Sequence, residues 1–378
     1  MGGAIVRAQQ LGQSIWLDNL GRGLIRSGEL ERLRDRGVTG ITSNPTIFQK
    51  SVAGADVYDA AIRELAERGR RPEDMVWDLM VEDVSAAADI FRPVYERAGK
   101  RDGFVSIEVS PSVANDTAAS VDMARDLEQR CHRPNVMVKI PATRAGVPAI
   151  RRRIGEDANI NVTLIFAVQR YEEVVEAFLG GLEDLFERGG DVSQVNSVAS
   201  FFVSRVDTKV DARIDELQRS GVDPAIARRL DALRGTIGIA NSKIAYQRFL
   251  ALHAGPRWDR LADAGAVPQR CLWASTSVKN PRYPDTLYVD NLIGAQTVDT
   301  LPESALDAFV DHGEVRDSLT DGLEEAEHQL AELRECGIDL GAITDELETE
   351  GVAIFEKSYQ DLTAALTDAT RRLVPARS

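Results

Sequence analysis

Short apolar runs rich in Val and Ile recur along the first 300 or so residues and alternate with longer segments of helical periodicity. An apolar run of this length predicts a buried strand, and the alternation predicts a parallel sheet covered by helices. The predicted strands lie near 14–18, 38–43, 103–109, 136–140, 160–166, 195–203, 271–277 and 296–300. Eight parallel strands suit a closed barrel, so we expect an α/β barrel.

The segment 283–293 lies between the last two predicted strands and carries competing signals. A strand at 287–289 would follow strand seven too closely, because parallel neighbours need a crossover of about a dozen residues or more. Pro284 and Asp285 are typical of a helix start, and Gly294 of a helix stop. We therefore predict that this segment is a crossover helix.

Two connections are much longer than the others, 48–102 and 206–270, and both have helical periodicity. The barrel strands are expected within about 14–300. Beyond them, apolar residues at three- and four-residue spacings predict only helices, over about 303–372. We expect one domain spanning 1–378, a barrel with helical additions.

The parity of apolar residues along the strands identifies the side chains that point into the barrel. In strand four, Val136, Val138 and Ile140 form the outward set that packs against helices, which leaves Met137 and Lys139 inside. The same test applied to strands one, three and five places these polar or aromatic residues inside: Trp16, Asp18, Ser106, Glu108, Asn161 and Thr163. Asn44 follows strand two, so five strand ends offer polar groups to one cavity.

Each of these residues also has a structural interpretation. A lysine in an apolar strand often forms an ion pair, Asp18 could cap a loop, and Thr163 could simply favour a strand. Burying a charge costs several kcal/mol unless it is compensated. Inward charges at three strand ends, Lys139, Glu108 and Asp18, are therefore difficult to explain as packing alone.

A buried lysine among carboxylates can perform carbon–carbon bond chemistry. An unprotonated amine forms a Schiff base with a ketone, and burial lowers the pKa of amines in general. Glu108 and Asp18 could divide the acid and base steps. We expect no metal and no cofactor, because the iminium ion is the electron sink and the histidines fall in predicted helices or loops: His132, His253, His312 and His328.

The charge balance restricts the partners, since 45 basic and 60 acidic residues give −15. Nonspecific binding to nucleic acid or to an anionic membrane is disfavoured, so an anionic ligand requires a few local cations. Arg205 after strand six and Lys279 after strand seven, together with Ser275 and Ser277, could hold phosphate; alternatively, Arg205 could pair with Asp207. Three separated cysteines and the absence of a leader-like pattern favour the cytoplasm.

Several motifs resemble those of the transaldolase family, in family order from about residue 14 to the end of the chain. They are 42–48 (TSNPTIF), 136–143 (VMVKIPAT), 159–166 (NINVTLIF), 200–205 (SFFVSR), 273–277 (WASTS) and, in the helical tail, 355–359 (FEKSY). The resemblance implies a (β/α)8 TIM barrel. It also implies transfer of a dihydroxyacetone unit from sedoheptulose 7-phosphate to glyceraldehyde 3-phosphate, giving erythrose 4-phosphate and fructose 6-phosphate in the non-oxidative pentose phosphate pathway.

The resemblance also implies a role for individual residues. Lys139 would form the Schiff base, Asp18 would take the proton from the C4 hydroxyl, and Glu108 would act through a water held with Thr163. It further implies that Asn44 and Asn161 hydrogen-bond the dihydroxyacetone unit, that Ser200 lines the site, and that Arg205 with Ser275 holds the phosphate.

The chain departs from the family at Ser277, where many members carry an arginine. We hypothesise that Lys279 supplies the missing charge from the following loop. If so, Lys279→Ala should raise the Michaelis constant for fructose 6-phosphate, and an unchanged constant would refute the hypothesis.

Two rival functions remain at this stage. Fructose 6-phosphate aldolases share the barrel and the lysine but are shorter and carry a tyrosine at the position of Phe202, whose phenol helps to release free dihydroxyacetone. A catalytically silent sugar-phosphate-binding barrel is the other rival. The expected partners are phosphorylated sugars, and the sequence leaves open whether the protein is a monomer or a homodimer.

Overall fold

A computed structural model describes residues 3–52 and 56–374. Within them, parallel strands form a closed barrel in which each strand is hydrogen-bonded to the next and the last to the first. The strands are β1 (Gln13–Leu17), β2 (Gly40–Ile41), β3 (Val105–Glu108), β4 (Val136–Pro141), β5 (Ile160–Ile165), β6 (Ser197–Phe202), β7 (Arg270–Ala274) and β8 (Thr297–Leu301). The predicted (β/α)8 barrel is confirmed.

The strand bounds differ from the prediction by one to three residues at most ends, and the differences are largest for β2 and β7. β2 was predicted over 38–43 but spans only Gly40–Ile41, and β7 was predicted to 277 but ends at Ala274. Ser275 has a φ of 57°, a left-handed conformation that interrupts the extended backbone just where β7 ends. Ser275 and Ser277 therefore lie in the loop after β7 and not on the strand itself.

The predicted parity is confirmed by two separate apolar clusters. Outward residues such as Val138 and Ile140 pack with the surrounding helices. The inner cluster contains residues from most of the strands: Trp16, Met137, Val198, Leu272 and Val298. Leu164 also belongs to it, against the alternation predicted for strand five, because the register of β5 shifts between Val162 and Ile165. Gly40 of β2 leaves room for the indole, since a Cβ there would lie 2.6 Å from a ring carbon of Trp16.

Helices surround the barrel and also form both long connections. In chain order they are α1 (Ala4–Gln10), α2 (Arg22–Arg26), α3 (Glu29–Asp35), α4 (Pro45–Val52), α5 (Asp59–Glu67), α6 (Pro72–Arg97), α7 (Thr117–Cys131), α8 (Gly146–Gly155), α9 (Val168–Glu187), α10 (Ser204–Arg219), α11 (Pro224–Ala232), α12 (Ile237–Leu252), α13 (Pro256–Asp263), α14 (Leu287–Asn291), α15 (Glu303–His312), α16 (Leu323–Glu335) and α17 (Leu340–Leu373). None of these described helices combines the length and apolar character needed to cross a membrane.

The crossover between β7 and β8 contains a helix, as predicted, but the helix is shorter. It begins at Leu287, because Pro284 belongs to a preceding turn in which its carbonyl accepts a hydrogen bond from the Leu287 amide. The predicted start at Pro284 and Asp285 is wrong by a few residues. The expectation of a single domain stays a prediction.

The last helix, α17, lies across the carboxyl ends of the barrel strands. Ser358 on this helix is hydrogen-bonded to Thr46 on α4 at 2.7 Å between their hydroxyl oxygens. Gly351 approaches Leu164 at the end of β5, and Glu350 forms an ion pair with Lys209 of α10. The C-terminal segment therefore covers part of the barrel mouth.

Candidate active site

A polar cavity of about 310 Å³ opens at the carboxyl ends of the strands, beneath α17. Most of the residues predicted for the site line it: Asp18, Asn44, Lys139, Thr163, Ser200, Phe202, Arg205, Ser275, Ser277 and Lys279. Glu108 and Asn161 do not line the cavity but lie buried against residues that do. The sequence-predicted residues are thus brought together at one end of the barrel.

Lys139 and Glu108 form a buried ion pair in neighbouring register on β4 and β3. Their Nζ and Oε2 atoms are 3.3 Å apart, and the amine also donates to the Ser43 carbonyl at 3.1 Å. Burial raises the pKa of Glu108, although the positive charge of Lys139 opposes this. The arrangement places an amine and a carboxyl group that readily accepts a proton within reach of the same substrate atom.

Asp18 lies directly after β1, at the edge of the cavity. The Thr42 hydroxyl donates to its Oδ1 at 2.7 Å. Burial raises the pKa of Asp18, whereas the Thr42 hydrogen bond and the charges of Lys139, Arg205 and Lys279 oppose the increase. A carboxylate with a raised pKa is a stronger base than an exposed aspartate, which suits proton abstraction.

Three polar side chains on β3, β5 and β6 form a buried chain of hydrogen bonds. Ser200 donates to Asn161 Oδ1 at 2.7 Å, and Asn161 Nδ2 donates to Ser106 Oγ at 3.0 Å. These bonds fix the orientation of the Asn161 amide, because its oxygen accepts and its nitrogen donates. Ser200 lines the cavity, so this chain of hydrogen bonds connects the buried Asn161 amide to the cavity wall.

Two buried oxygen atoms close to this chain have hydrogen-bonding capacity left over among the described residues: Thr163 Oγ1 has no partner, and Glu108 Oε2 has only its ion pair with Lys139. Leaving such groups unpaired usually costs about 1–3 kcal/mol. Their pairing is therefore expected to come from a substrate or a bound water.

Asn44 ends the loop after β2 and begins α4. Its Oδ1 accepts a hydrogen bond from the Ile47 amide at 2.9 Å, which caps the helix. Asn44 therefore has a structural role as a helix cap, and its side chain also lines the cavity. The amide nitrogen remains the group available to a ligand.

Arg205 lies at the start of α10 and faces the cavity, with its guanidinium carbon 5.2 Å from the ring centre of Phe202. Asp207 accepts instead from the Gly238 amide at 2.8 Å, so the alternative pairing of Arg205 with Asp207 is wrong. Among the described residues, Arg205 has no carboxylate within 4.0 Å. It is a partly buried cation without a counter-ion.

The loop after β7 brings three further polar residues to the cavity. Lys279 Nζ donates to Ser277 Oγ at 2.5 Å, and the hydroxyls of Ser275 and Ser204 are 3.0 Å apart. Burial, Arg205 and Lys50 lower the pKa of Lys279, while Asp18 raises it. The ammonium group of Lys279 thus lies beside Ser277, the position at which many family members carry an arginine. That Lys279 replaces the charge of this arginine stays a prediction.

Several cavity residues were not singled out from the sequence. Thr42, Thr46 and Lys50 come from the segment around α4, Thr300 from β8, and Ile354 with Phe355 from α17. The inward parity of β8 could have identified Thr300, because it lies two residues after the inner Val298 and therefore points to the same side. The α17 residues had no such signal, because their position depends on packing between distant parts of the chain.

The described residues contain no cluster of three or more His, Cys, Asp or Glu side chains suited to a metal ion. The four histidines lie on helices or immediately after them, as expected. That the protein uses no metal or cofactor stays a prediction.

The fold and the site define a (β/α)8 barrel with a polar cavity at the carboxyl ends of its strands, the arrangement found in barrel enzymes. The sequence model of the family described as Transaldolase/Fructose-6-phosphate aldolase matches residues 15–366. The chain is 47% identical to Transaldolase 1 of Streptomyces coelicolor, over 97% of this chain and 94% of that protein. It is 44% identical to Transaldolase 2 of a Nostoc species, over 98% of each chain. The protein belongs to the transaldolase/fructose-6-phosphate aldolase family.

Proposed function

We propose that this protein is a transaldolase that moves a dihydroxyacetone unit from sedoheptulose 7-phosphate to glyceraldehyde 3-phosphate. The observation that carries the proposal is the buried Lys139–Glu108 pair at 3.3 Å in the barrel mouth. Family membership and the relatives described as transaldolases support it. The class of substrate is phosphorylated sugars.

In the first stage, Glu108 takes a proton from the ammonium group of Lys139, and the amine attacks the C2 carbonyl of the ketose to form a carbinolamine. Loss of the C2 oxygen as water leaves the iminium ion, and Glu108 exchanges the protons for this step. A water held between Glu108 and Thr163 would relay them, which is supported by the absence of a hydrogen-bond partner for Thr163 Oγ1 among the described residues.

In the second stage, Asp18 takes the proton of the C4 hydroxyl. The C3–C4 bond breaks, its electron pair moves into the iminium system to form an enamine, and the aldehyde product leaves. The acceptor aldehyde then forms a new C3–C4 bond, and its oxygen takes the proton back from Asp18. Water finally hydrolyses the Schiff base, so that the ketose and the free amine are regenerated.

The other polar groups would position the substrate. Asn44, Asn161 and Ser200 would hydrogen-bond the dihydroxyacetone unit, and the buried chain of hydrogen bonds that includes Asn161 and Ser200 keeps them oriented. Arg205 and Lys279, with Ser275 and Ser277, would bind the phosphate.

Phe202 favours transfer over the rival aldolase activity. Its ring lines the cavity, packed 5.0 Å from that of Phe166 and below Arg205. A phenylalanine cannot donate a proton to the enamine, so the enamine should persist until an acceptor arrives. Release of dihydroxyacetone from fructose 6-phosphate as fast as transfer to an acceptor would instead support the fructose 6-phosphate aldolase activity.

Borohydride reduction in the presence of fructose 6-phosphate tests the proposal. We expect a covalent adduct with the mass of a reduced dihydroxyacetone unit on the wild type and none on Lys139→Ala. Lys357→Ala is a matched control, because this lysine is exposed and pairs with Asp361 away from the cavity. A wild-type protein without an adduct would contradict the enzyme and favour a silent sugar-phosphate-binding barrel.

A further inference from the structure

The cavity is lined by an unusually large share of the few lysines in this chain. The sequence contains only seven, against a much larger number of arginines, and three of the seven line the cavity: Lys50, Lys139 and Lys279. Lys139 has a chemical task and Lys279 occupies the expected phosphate region. Lys50 belongs to neither role.

Lys50 projects from the second turn of α4 and has no ion pair among the described residues. Two other lysines are paired, the half-buried Lys209 with Glu346 and the exposed Lys357 with Asp361. In a chain of charge −15 with many carboxylates, a cation that remains unpaired beside a cavity is unusual. Its charge is therefore available to a ligand.

Three unpaired cations surround the cavity on different elements: Lys50 on α4, Arg205 on α10 and Lys279 in the loop after β7. They are close enough for the charges of Arg205 and Lys50 to lower the pKa of Lys279, after burial. The three positive charges repel one another in the free protein, and a bound dianionic phosphate would relieve this repulsion.

The position of Lys50 also fits the length of a sugar phosphate. Asn44 caps the start of α4, and Lys50 follows six residues later on the same helix. At 1.5 Å of rise per residue, their backbones are about 9 Å apart along the helix axis. One helix thus presents an amide near the reacting lysine and a cation towards the entrance.

We propose that Lys50 is a phosphate-binding residue, which completes a three-cation site with Arg205 and Lys279 and selects phosphorylated sugars over neutral ones. This inference rests on the proposed function and adds a specificity-determining residue to it. Lysine suits this place at the rim, because its flexible stem can follow phosphates carried by sugars of different length.

Transfer kinetics with matched acceptors test the inference. With saturating sedoheptulose 7-phosphate as donor, Lys50→Met should raise the KM for glyceraldehyde 3-phosphate about three- to tenfold. The KM for unphosphorylated glyceraldehyde should change less than about twofold, and Lys50→Arg should restore most of the loss. Lys357→Met removes the same charge away from the cavity and should leave both constants unchanged.

Equal losses with both acceptors would mean that Lys50 supports α4 structurally, and unchanged constants would mean that it binds nothing; either result overturns the inference. Calorimetric titration with inorganic phosphate provides a second measurement that needs no turnover. Weaker phosphate binding by Lys50→Met than by Lys357→Met supports the site even if the wild type fails the borohydride test, whereas equal binding contradicts it.

Discussion

The central residues of the site have environments that separate their tasks. Glu108 is 1% exposed and held against Lys139, whereas Asp18 is partly exposed and receives the Thr42 hydroxyl. Glu108 can therefore serve the amine during formation of the Schiff base. Asp18 lies nearer the opening, where the C4 hydroxyl of a bound ketose would be.

This separation predicts different trapped species for two conservative variants. Asp18→Asn should still form the Schiff base but should not break the C3–C4 bond, so borohydride should fix the whole fructose 6-phosphate to Lys139. Glu108→Gln should slow formation of the Schiff base by about 10²–10⁴-fold and give little adduct of either size. Intact protein mass spectrometry distinguishes the six-carbon from the three-carbon adduct, and a three-carbon adduct on Asp18→Asn would exclude Asp18 as the cleavage base.

The same carboxyl groups predict the acid side of the pH profile. Burial raises the pKa of both Asp18 and Glu108, and both must be ionised to accept protons. The kcat/KM for fructose 6-phosphate should therefore fall with decreasing pH at a higher pH than an ordinary carboxyl group, near 4, would give. An acid limb at about pH 4 or below would contradict these directions.

Most of the site could be predicted from single residues because strand parity and the ends of strands identify inward groups. Lys139, Glu108 and Thr163 were found in this way. Lys50 could not be, since a lysine on an exposed helix usually faces solvent. Its position over the cavity depends on where α4 lies, which no local pattern specifies.

At the scale of elements, α17 and the end of β5 depend on one another. The register of β5 against β6 shifts between Val162 and Ile165, and within this bulge Leu164 has a φ of 59°. Positive φ is costly for a residue with a Cβ, so the surrounding packing must hold it. Gly351 of α17 packs directly on this leucine, next to Thr163.

Gly351→Ala tests this dependence, because two effects have opposite signs. Alanine should stabilise a helix by about 1 kcal/mol relative to glycine. Its Cβ would, however, lie 2.9 Å from Leu164 Cδ2, and overpacking of this kind costs about 1–3 kcal/mol. We expect a net decrease in the free energy of unfolding in urea.

A double-mutant cycle with Leu164→Ala checks the cause. The smaller side chain leaves room for the new methyl group, so the double variant should be more stable than the sum of the single effects. If Gly351→Ala stabilises the protein, or if the two effects are simply additive, α17 does not hold the bulge.

The bulge and the course of α17 were beyond sequence prediction for a common physical reason. The run 160–166 has the pattern of a plain strand, and nothing in it indicates that Leu164 leaves the β region. The extended start predicted for α14 and the overlong β7 likewise failed at boundaries, where tertiary contacts decide the conformation. Alternation of elements, by contrast, is a property of long segments and predicted the barrel correctly.

At the scale of the whole molecule, the charge of −15 and an anionic substrate are compatible because the charges are distributed unevenly. Many surface arginines are neutralised by carboxylates, such as Arg257 by Glu176 and Glu183. Arg205 and Lys279 remain unpaired at the barrel mouth. Within about 10 Å, the approximate range of electrostatic interactions in 0.1 M salt, these local cations determine what binds.

Two buried carboxyl groups outside the cavity should control the pH dependence of folding. Asp299 is fully buried on β8, where the Thr276 hydroxyl donates to one oxygen and the other has no partner among the described residues. Burial raises its pKa to about 8, and burial raises the pKa of Asp207 to about 7. The ordinary value in an unfolded chain is about 3.9.

Between those values the folded protein binds more protons than the unfolded chain, so stability falls as the pH rises, by up to about 1.4 kcal/mol per pH unit for each group. The contribution of Asp299 is fully present below about pH 4 and is lost towards pH 8. Asp299→Asn is neutral in both states and keeps an acceptor for Thr276. From about pH 5 to about pH 8, the variant should therefore lose on the order of 3 kcal/mol less stability than the wild type in urea unfolding. Asp35→Asn is the control, because this carboxyl group is exposed beside Arg34, and its stability should depend on pH as that of the wild type does. If Asp299→Asn also showed the pH dependence of the wild type, the carboxyl group of Asp299 would be ionised in the folded protein.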